Sequence, residues 1–218
     1  MLFEEILLRC PLFAGVRREN LPEILGCLGA RTVHLARGQI LFSEGDPATA
    51  LGIVLEGAVG IVREDVFGNR SLVAKIPPTG VFAESYACAQ TAHLPVSVVA
   101  EAGSTVLLVD CRRITGPGSS AGNFHGQVLR NLLQLMARKN LALNRKNSIL
   151  SRRTTREKLL AFLLSEANLR GSRSSEIAMD RQALADFLGV DRSGLSTEIG
   201  KLRKEGRLRC DRNHFELL

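Results

Sequence analysis

The chain has 218 residues, 45% of them hydrophobic and 23% charged, with mean hydropathy close to zero at +0.06. That is enough apolar matter for one large or two modest cores, and it excludes a collagenous, disordered or miniature fold. No apolar run approaches the roughly 18 residues of a membrane span, and Glu4 and Glu5 stand where a secretory signal carries bases, so a cytoplasmic chain with no membrane partner is expected. Cys10, Cys27, Cys88, Cys111 and Cys210 form no CxxC pair, which argues for buried thiols rather than a disulfide framework or a zinc finger. The net charge of +7 is local: residues 1–110 carry −4, residues 111–156 carry +10 with no acid at all, and residues 157–218 carry +1. A run of that kind points to a surface facing a polyanion, with a solvated basic helix as the plainer alternative.

In chain order, Leu2, Phe3, Ile6 and Leu7, then Leu21, Ile24, Leu25 and Leu28, repeat at helical spacing and predict two short docking helices. From Ala30 to Asp110 the pattern turns to short β-type runs: Thr32 to Leu35, Ile40 to Phe42, Gly52 to Leu55, Val59 to Val62, Ser71 to Ile76, Ser97 to Ala100 and Thr105 to Val109. Glycines at 38, 45, 57, 68, 80 and 103 punctuate them about every ten residues, a rhythm that predicts a β-sandwich or barrel-like roll.

After the Gly/Ser-rich break at 116–122, a long helix is expected over 123–150. Leu129, Leu133, Met136, Asn140, Leu143, Asn147 and Leu150 follow a heptad seam, and Val128, Leu135, Ala142 and Ile149 form a neighbouring stripe. Two seams imply two neighbours. One can lie on the roll while the other meets the same helix of a second chain, with the asparagines fixing register; burial inside a single domain is the alternative.

Residues 151–218 read as a small separate domain. Thr154 or Thr155 caps an apolar helix, a strand is expected around Glu176 to Met179, and a helix from Arg181 to Leu188 turns at Gly189 into a second one capped by Asp191. Leu195, Ile199 and Leu202 face inward, leaving Arg192, Ser193, Ser196 and Thr197 outward as candidate base contacts. Lys201, Arg203, Lys204 and Arg207 are candidate phosphate contacts. The segments 208–211 and 214–217 predict a hairpin wing. Double-stranded DNA is the expected partner of this helix-turn-helix pattern; two helices of an ordinary bundle are the alternative.

The chain resembles bacterial transcription regulators of the cyclic-AMP receptor protein/FNR type over nearly its whole length. The resemblance is carried by Gly45 to Ala48, Gly57 to Val62, Pro78 to Ser85, Met136 to Lys139 and Leu184 to Ser193. It implies an α+β protein: a cyclic-nucleotide-binding-like jelly roll with N-terminal helices over 1–122, a dimerisation helix over 123–150, and a winged helix-turn-helix over 151–218. It also implies a homodimer acting on an inverted-repeat promoter site, with RNA polymerase as a further partner.

The departures from that pattern shape the expected effector. Leu94 and Pro95 stand where the cyclic-nucleotide binders carry an ArgSer phosphate clamp, Ala83 replaces a glycine, and Leu143 and Asn144 replace the adenine-receiving ThrSer pair. An anion without a buried guanidinium loses its main charge-assisted contact, which argues against cyclic AMP. Cys10 and Cys27 cannot supply the four thiolates of an FNR-type cluster.

The cofactor stays open, with haem kept through Cys88 and His93 by loose analogy with haem-sensing relatives. An apolar effector pocket is expected near Phe82, Glu84, Ser85, Tyr86, Leu94, Pro95, Leu135 and Leu143, with a filled core as the alternative. A hydrolase or transferase gains no support: there is no phosphate-binding Gly loop and no HExxH, and Glu84 has no second carboxylate beside it. A small-molecule or redox- or haem-sensing module whose C-terminal domain engages a protein partner is the alternative function.

Overall fold

The computed structural model describes residues 3–65, 67–116 and 124–218, so Leu2 and most of the 116–122 break lie outside the described residues. It divides into two compact units, 1–138 and 139–218.

The first unit opens with helices α1 (Glu4–Arg9) and α2 (Leu21–Cys27), flanked by 3-10 turns at Pro11–Phe13 and Arg18–Asn20. Eight antiparallel strands follow: β1 (Arg31–Leu35), β2 (Ile40–Phe42), β3 (Ala50–Glu56), β4 (Val59–Glu64), β5 (Arg70–Ile76), β6 (Val81–Phe82), β7 (Ser97–Ala100) and β8 (Ser104–Asp110). They make two four-stranded sheets, ordered β1-β8-β3-β6 and β2-β7-β4-β5. Each of the seven apolar runs forms a strand, and the two-residue β6 is an addition too short to show a period.

The first sheet is covered on both faces, which is why β3 and β8 are buried almost without interruption. Val54, Val106 and Leu108 point into the core between the sheets. Leu51, Ile53, Leu55, Leu107 and Val109 point the other way, against α1 and α2. Two short helices lie outside the sequence expectation: α3 (Glu84–Ala89) and α4 (Cys111–Thr115). Both are too brief for a 3.6-residue repeat to register.

The long helix α5 runs from His125 to Leu150, close to its expected span. Val128, Leu132 and Leu135 are buried in the first unit's core. Asn131 is 5% exposed and donates to the carbonyls of Leu12 (3.0 Å) and Ala14 (2.9 Å). Farther along, Ile149 belongs to the core of the second unit and Ala142 is exposed, so the stripe expected to lie on the roll does so only in its first half.

The second unit holds α6 (Thr155–Arg170), β9 (Ser174–Glu176), α7 (Arg181–Leu188), α8 (Arg192–Lys204), β10 (Leu208–Asp211) and β11 (His214–Leu217). The strand expected at 176–179 lies two residues earlier, because the register with β11 places Ser174, Ser175 and Glu176 opposite Glu216, Phe215 and His214.

Candidate nucleic-acid interface

Local chemistry builds the α6–α7–α8 unit. Thr154 and Glu157 form a reciprocal capping box at the start of α6, with Glu157 N donating to Thr154 Oγ1 at 3.1 Å and Thr154 N donating to Glu157 Oε2 at 3.2 Å. Asp180 caps α7 by accepting from Ala183 N at 2.8 Å. Gly189, at φ +58°, makes the left-handed turn, and Val190 N returns to Ala185 O at 3.1 Å. Ala185 is fully buried where the two helices pack. Asp191 then caps α8 by accepting from Gly194 N at 2.8 Å. That bond and one from the Ser193 hydroxyl hold the Asp191 carboxyl below the usual carboxylate range, the hydroxyl contributing most.

Leu195, Ile199 and Leu202 are buried with Leu159, Phe162, Leu184, Leu188 and Phe215. The eight candidate contacts all lie exposed. Arg192, Arg203 and Lys204 make no ion pair among the described residues, whereas Lys201 is bound to Glu198 at 2.6 Å and Arg207 lies 3.9 Å from Glu205. Ser196 Oγ donates to Arg192 O and Thr197 Oγ1 to Ser193 O, both at 3.0 Å. With the Ser193 hydroxyl turned to Asp191, all three hydroxyl protons are engaged and the outward lone pairs are left as acceptors. The wing is a tight hairpin, Asp211 opposite His214, with Arg212 at φ +50°.

One residue that sequence reasoning missed is Arg156. Its Nε donates to Glu198 at 3.1 Å and its Nη1 to Glu205 at 3.1 Å, tying the first turn of α6 to the outer side of α8. Glu198 and Glu205 are seven apart and so share one helix face, a spacing that asks for a cation. Thr154, Thr155 and Arg156 line an open groove with Ser193, Thr197 and Lys201. The basic run 111–156 is thus partly consumed: besides Arg156, Arg145 pairs with Glu166, Arg112 with Asp110 at 3.1 Å, and Lys146 lies 5.4 Å from the Phe187 ring.

Of the residues expected around an effector, Phe82 and Leu135 belong to different buried clusters. Phe82 fills the space between the sheets, its ring over Gly52, where an added Cβ would come within 2.1 Å of it. Leu135 lies in the core on the opposite face of that sheet. Glu84 and Leu94 are buried, Tyr86 is half-buried, Ser85 and Pro95 are exposed, and Leu143, in the second unit, is 58% exposed. Ala83 adopts φ +60°, in the left-handed region that favours glycine.

A concavity of about 270 Å³ lies on the outer face of the other sheet, floored by Ile40, Val62, Leu72 and Val99 beside the Glu64–Arg70 ion pair. None of those residues was among the expected ones. On α5, Leu133 (59%) and Leu143 are exposed together with Asn140 and Asn147, while Leu129, Met136 and Leu150 are half-buried.

Residues 32–115 match the cyclic nucleotide-binding domain family, and residues 157–218 match the Crp-like helix-turn-helix domain. The chain belongs to the CRP/FNR family of transcription regulators. It is 27% identical over 193 residues to the nitrogen fixation regulation protein FixK of Bradyrhizobium diazoefficiens, covering 86% of this chain and 78% of that one. The Thermus thermophilus catabolite activator protein shares the fold at 21% identity and TM-score 0.51, over 95% of this chain and 93% of that one. The N-terminal domain of a Streptomyces coelicolor transcriptional regulator matches at 27% identity and TM-score 0.51, over 64% and 94%. As a CRP/FNR member with a Crp-like domain the chain is a DNA-binding transcription regulator. Among the described residues no helix is long and apolar enough to cross a membrane.

Proposed function

We propose that this regulator acts as a homodimer, pairing through α5, and reads an inverted-repeat promoter site with α8 in response to a signal other than cyclic AMP or a four-cysteine cluster. The observation that carries the reading is the outer face of α8. Arg192, exposed and unpaired, stands one residue past the Asp191 cap beside three hydroxyl acceptors, and Arg203 and Lys204 stay free for phosphates. Arg192 is the only one of the four candidate base contacts long enough and charged enough for bidentate pairing to guanine. Two-fold pairing would set the half-sites about one DNA turn apart, ~34 Å. The exposed Leu133 and Leu143 with Asn140 and Asn147 support α5 as the pairing helix. Leu94 and Pro95, in place of a phosphate-clamping guanidinium, support a signal that is not a cyclic nucleotide.

The test is a salt-resolved binding series on a selected operator. Arg192→Ala should cost roughly 1–3 kcal/mol and flatten discrimination at one base pair per half-site, whereas Lys204→Ala should weaken all sequences alike and lower the salt slope by about one per site. Uniform loss in both variants would reduce Arg192 to a phosphate contact and move specificity to Ser193, Ser196 and Thr197.

A further inference from the structure

Cys88 and Cys111 are 23 positions apart in sequence, yet their sulfurs lie 2.7 Å from each other, where α3 meets α4. Neither helix has any role in the α8 interface, and neither cysteine in the DNA-binding reading above. Cys111 is fully buried as the first residue of α4, directly after the Asp110 cap, and Cys88 is half-buried near the end of α3. Cys88 therefore keeps part of its surface exposed, whereas Cys111 has none.

We propose that Cys88 and Cys111 form a peroxide-responsive dithiol, Cys88 reacting first and Cys111 closing an intramolecular disulfide. The two sulfurs need approach by only about 0.7 Å to reach the ~2.05 Å of a disulfide.

The chemistry of the pair is asymmetric in the required direction. The hydrogen bond between the two thiols holds the Cys88 thiol below its usual range, against the opposing pull of burial and of the Glu84 carboxylate. The same hydrogen bond, then burial, pushes the Cys111 thiol far up. Cys88 is thus the more readily ionised thiol of the pair and Cys111 the one that holds its proton more tightly.

In the first step the Cys88 thiolate attacks one oxygen of a hydroperoxide, the O–O bond breaks, and the alkoxide or hydroxide leaves and takes a proton, giving a sulfenic acid at Cys88. In the second, Cys111 sulfur attacks the Cys88 sulfur, its proton goes to the departing hydroxide, and water leaves as the S–S bond forms. Two thiols and one peroxide yield one disulfide, one alcohol or water, and one water. An external dithiol reverses the step by exchange.

The experiment uses the full-length protein, reduced, freed of reductant and exposed to stoichiometric hydrogen peroxide, followed by alkylation and peptide mass mapping without reduction. The expected result is a Cys88–Cys111 linked peptide lighter by two hydrogens, loss of two of the five titratable thiols, and recovery of both with dithiothreitol. Cys111→Ala should leave Cys88 as a sulfenic acid trapped by dimedone. Cys88→Ser, at the less buried position, should abolish the linked peptide while keeping the fold, which separates loss of chemistry from failure to fold. Retention of all five thiols would overturn the proposal, as would linkage of either cysteine to a different one, or oxidation of Cys88 to sulfinic acid with no linked peptide.

Discussion

Replacing Asn131 with Ala should destabilise the first unit by about 1.5–4.5 kcal/mol. Asn131 sits on the buried side of α5, where its Nδ2 donates to Leu12 O and Ala14 O and its Oδ1 accepts from Gln127 Nε2 at 3.0 Å. The two carbonyls fare differently on truncation. Ala14 O keeps a second donor, Gln127 Nε2 at 3.3 Å, while Leu12 O, on a fully buried residue, loses the side chain that satisfies it. An orphaned buried carbonyl costs about 1–3 kcal/mol and the second lost bond about 0.5–1.5 kcal/mol, which sets the range. Asn131→Leu keeps the branched shape, leaves no void and supplies no donor, so it should cost at least a comparable amount; a cavity explanation would predict that it rescues. Gln127→Ala should cost under about 1 kcal/mol, since Ala14 O retains Asn131. Urea unfolding followed by circular dichroism, with the midpoint shift multiplied by the m-value, gives the number. A loss below about 0.5 kcal/mol for Asn131→Ala would refute the assignment of these bonds as the anchor between α5 and the Pro11–Phe13 turn.

Leu143→Asp places a charge in the exposed α5 seam and should give monomers in sedimentation velocity; an unchanged dimer would remove α5 from the pairing role. Ala83→Gly relieves a left-handed alanine at φ +60° and should raise stability by about 0.5–1 kcal/mol, the strain released less the added chain entropy of glycine; a destabilised variant would show that the Cβ contributes packing that outweighs the strain. Calorimetry with millimolar cyclic AMP should show no saturable heat, and micromolar binding would overturn the argument from Leu94 and Pro95.

Long elements were legible because their periods are redundant. Seven strands announced themselves through apolar runs between turn glycines, and α6, α7 and α8 through Thr154, Asp191 and Gly189, whose capping and turning roles depend on the residues next to them. What stayed hidden has a different physical character. The helices α3 and α4 are shorter than two turns. The separation of Phe82 from Leu135 depends on which face of the first sheet each one meets, and residues from opposite faces of one sheet look alike in a linear string. The Arg156 link to Glu198 and Glu205, the approach of Cys88 to Cys111, and the inward turn of the Ser196 and Thr197 hydroxyls are all contacts set by tertiary geometry. Composition likewise overstated the basic run, since Arg145 and Arg156 are bound to carboxylates that lie after position 157.

The ring of Phe82 lying on Gly52 couples two positions on neighbouring strands into one steric unit. Neither can change freely: a methyl at 52 collides with the ring, so a larger residue there demands a smaller one at 82. Read in reverse, trimming Phe82 alone would open a dry void walled by Val54, Val98, Val106 and Leu108, of the kind that takes up benzene or xenon rather than water. The interior of the roll is therefore one side chain away from being a receptor for small apolar molecules.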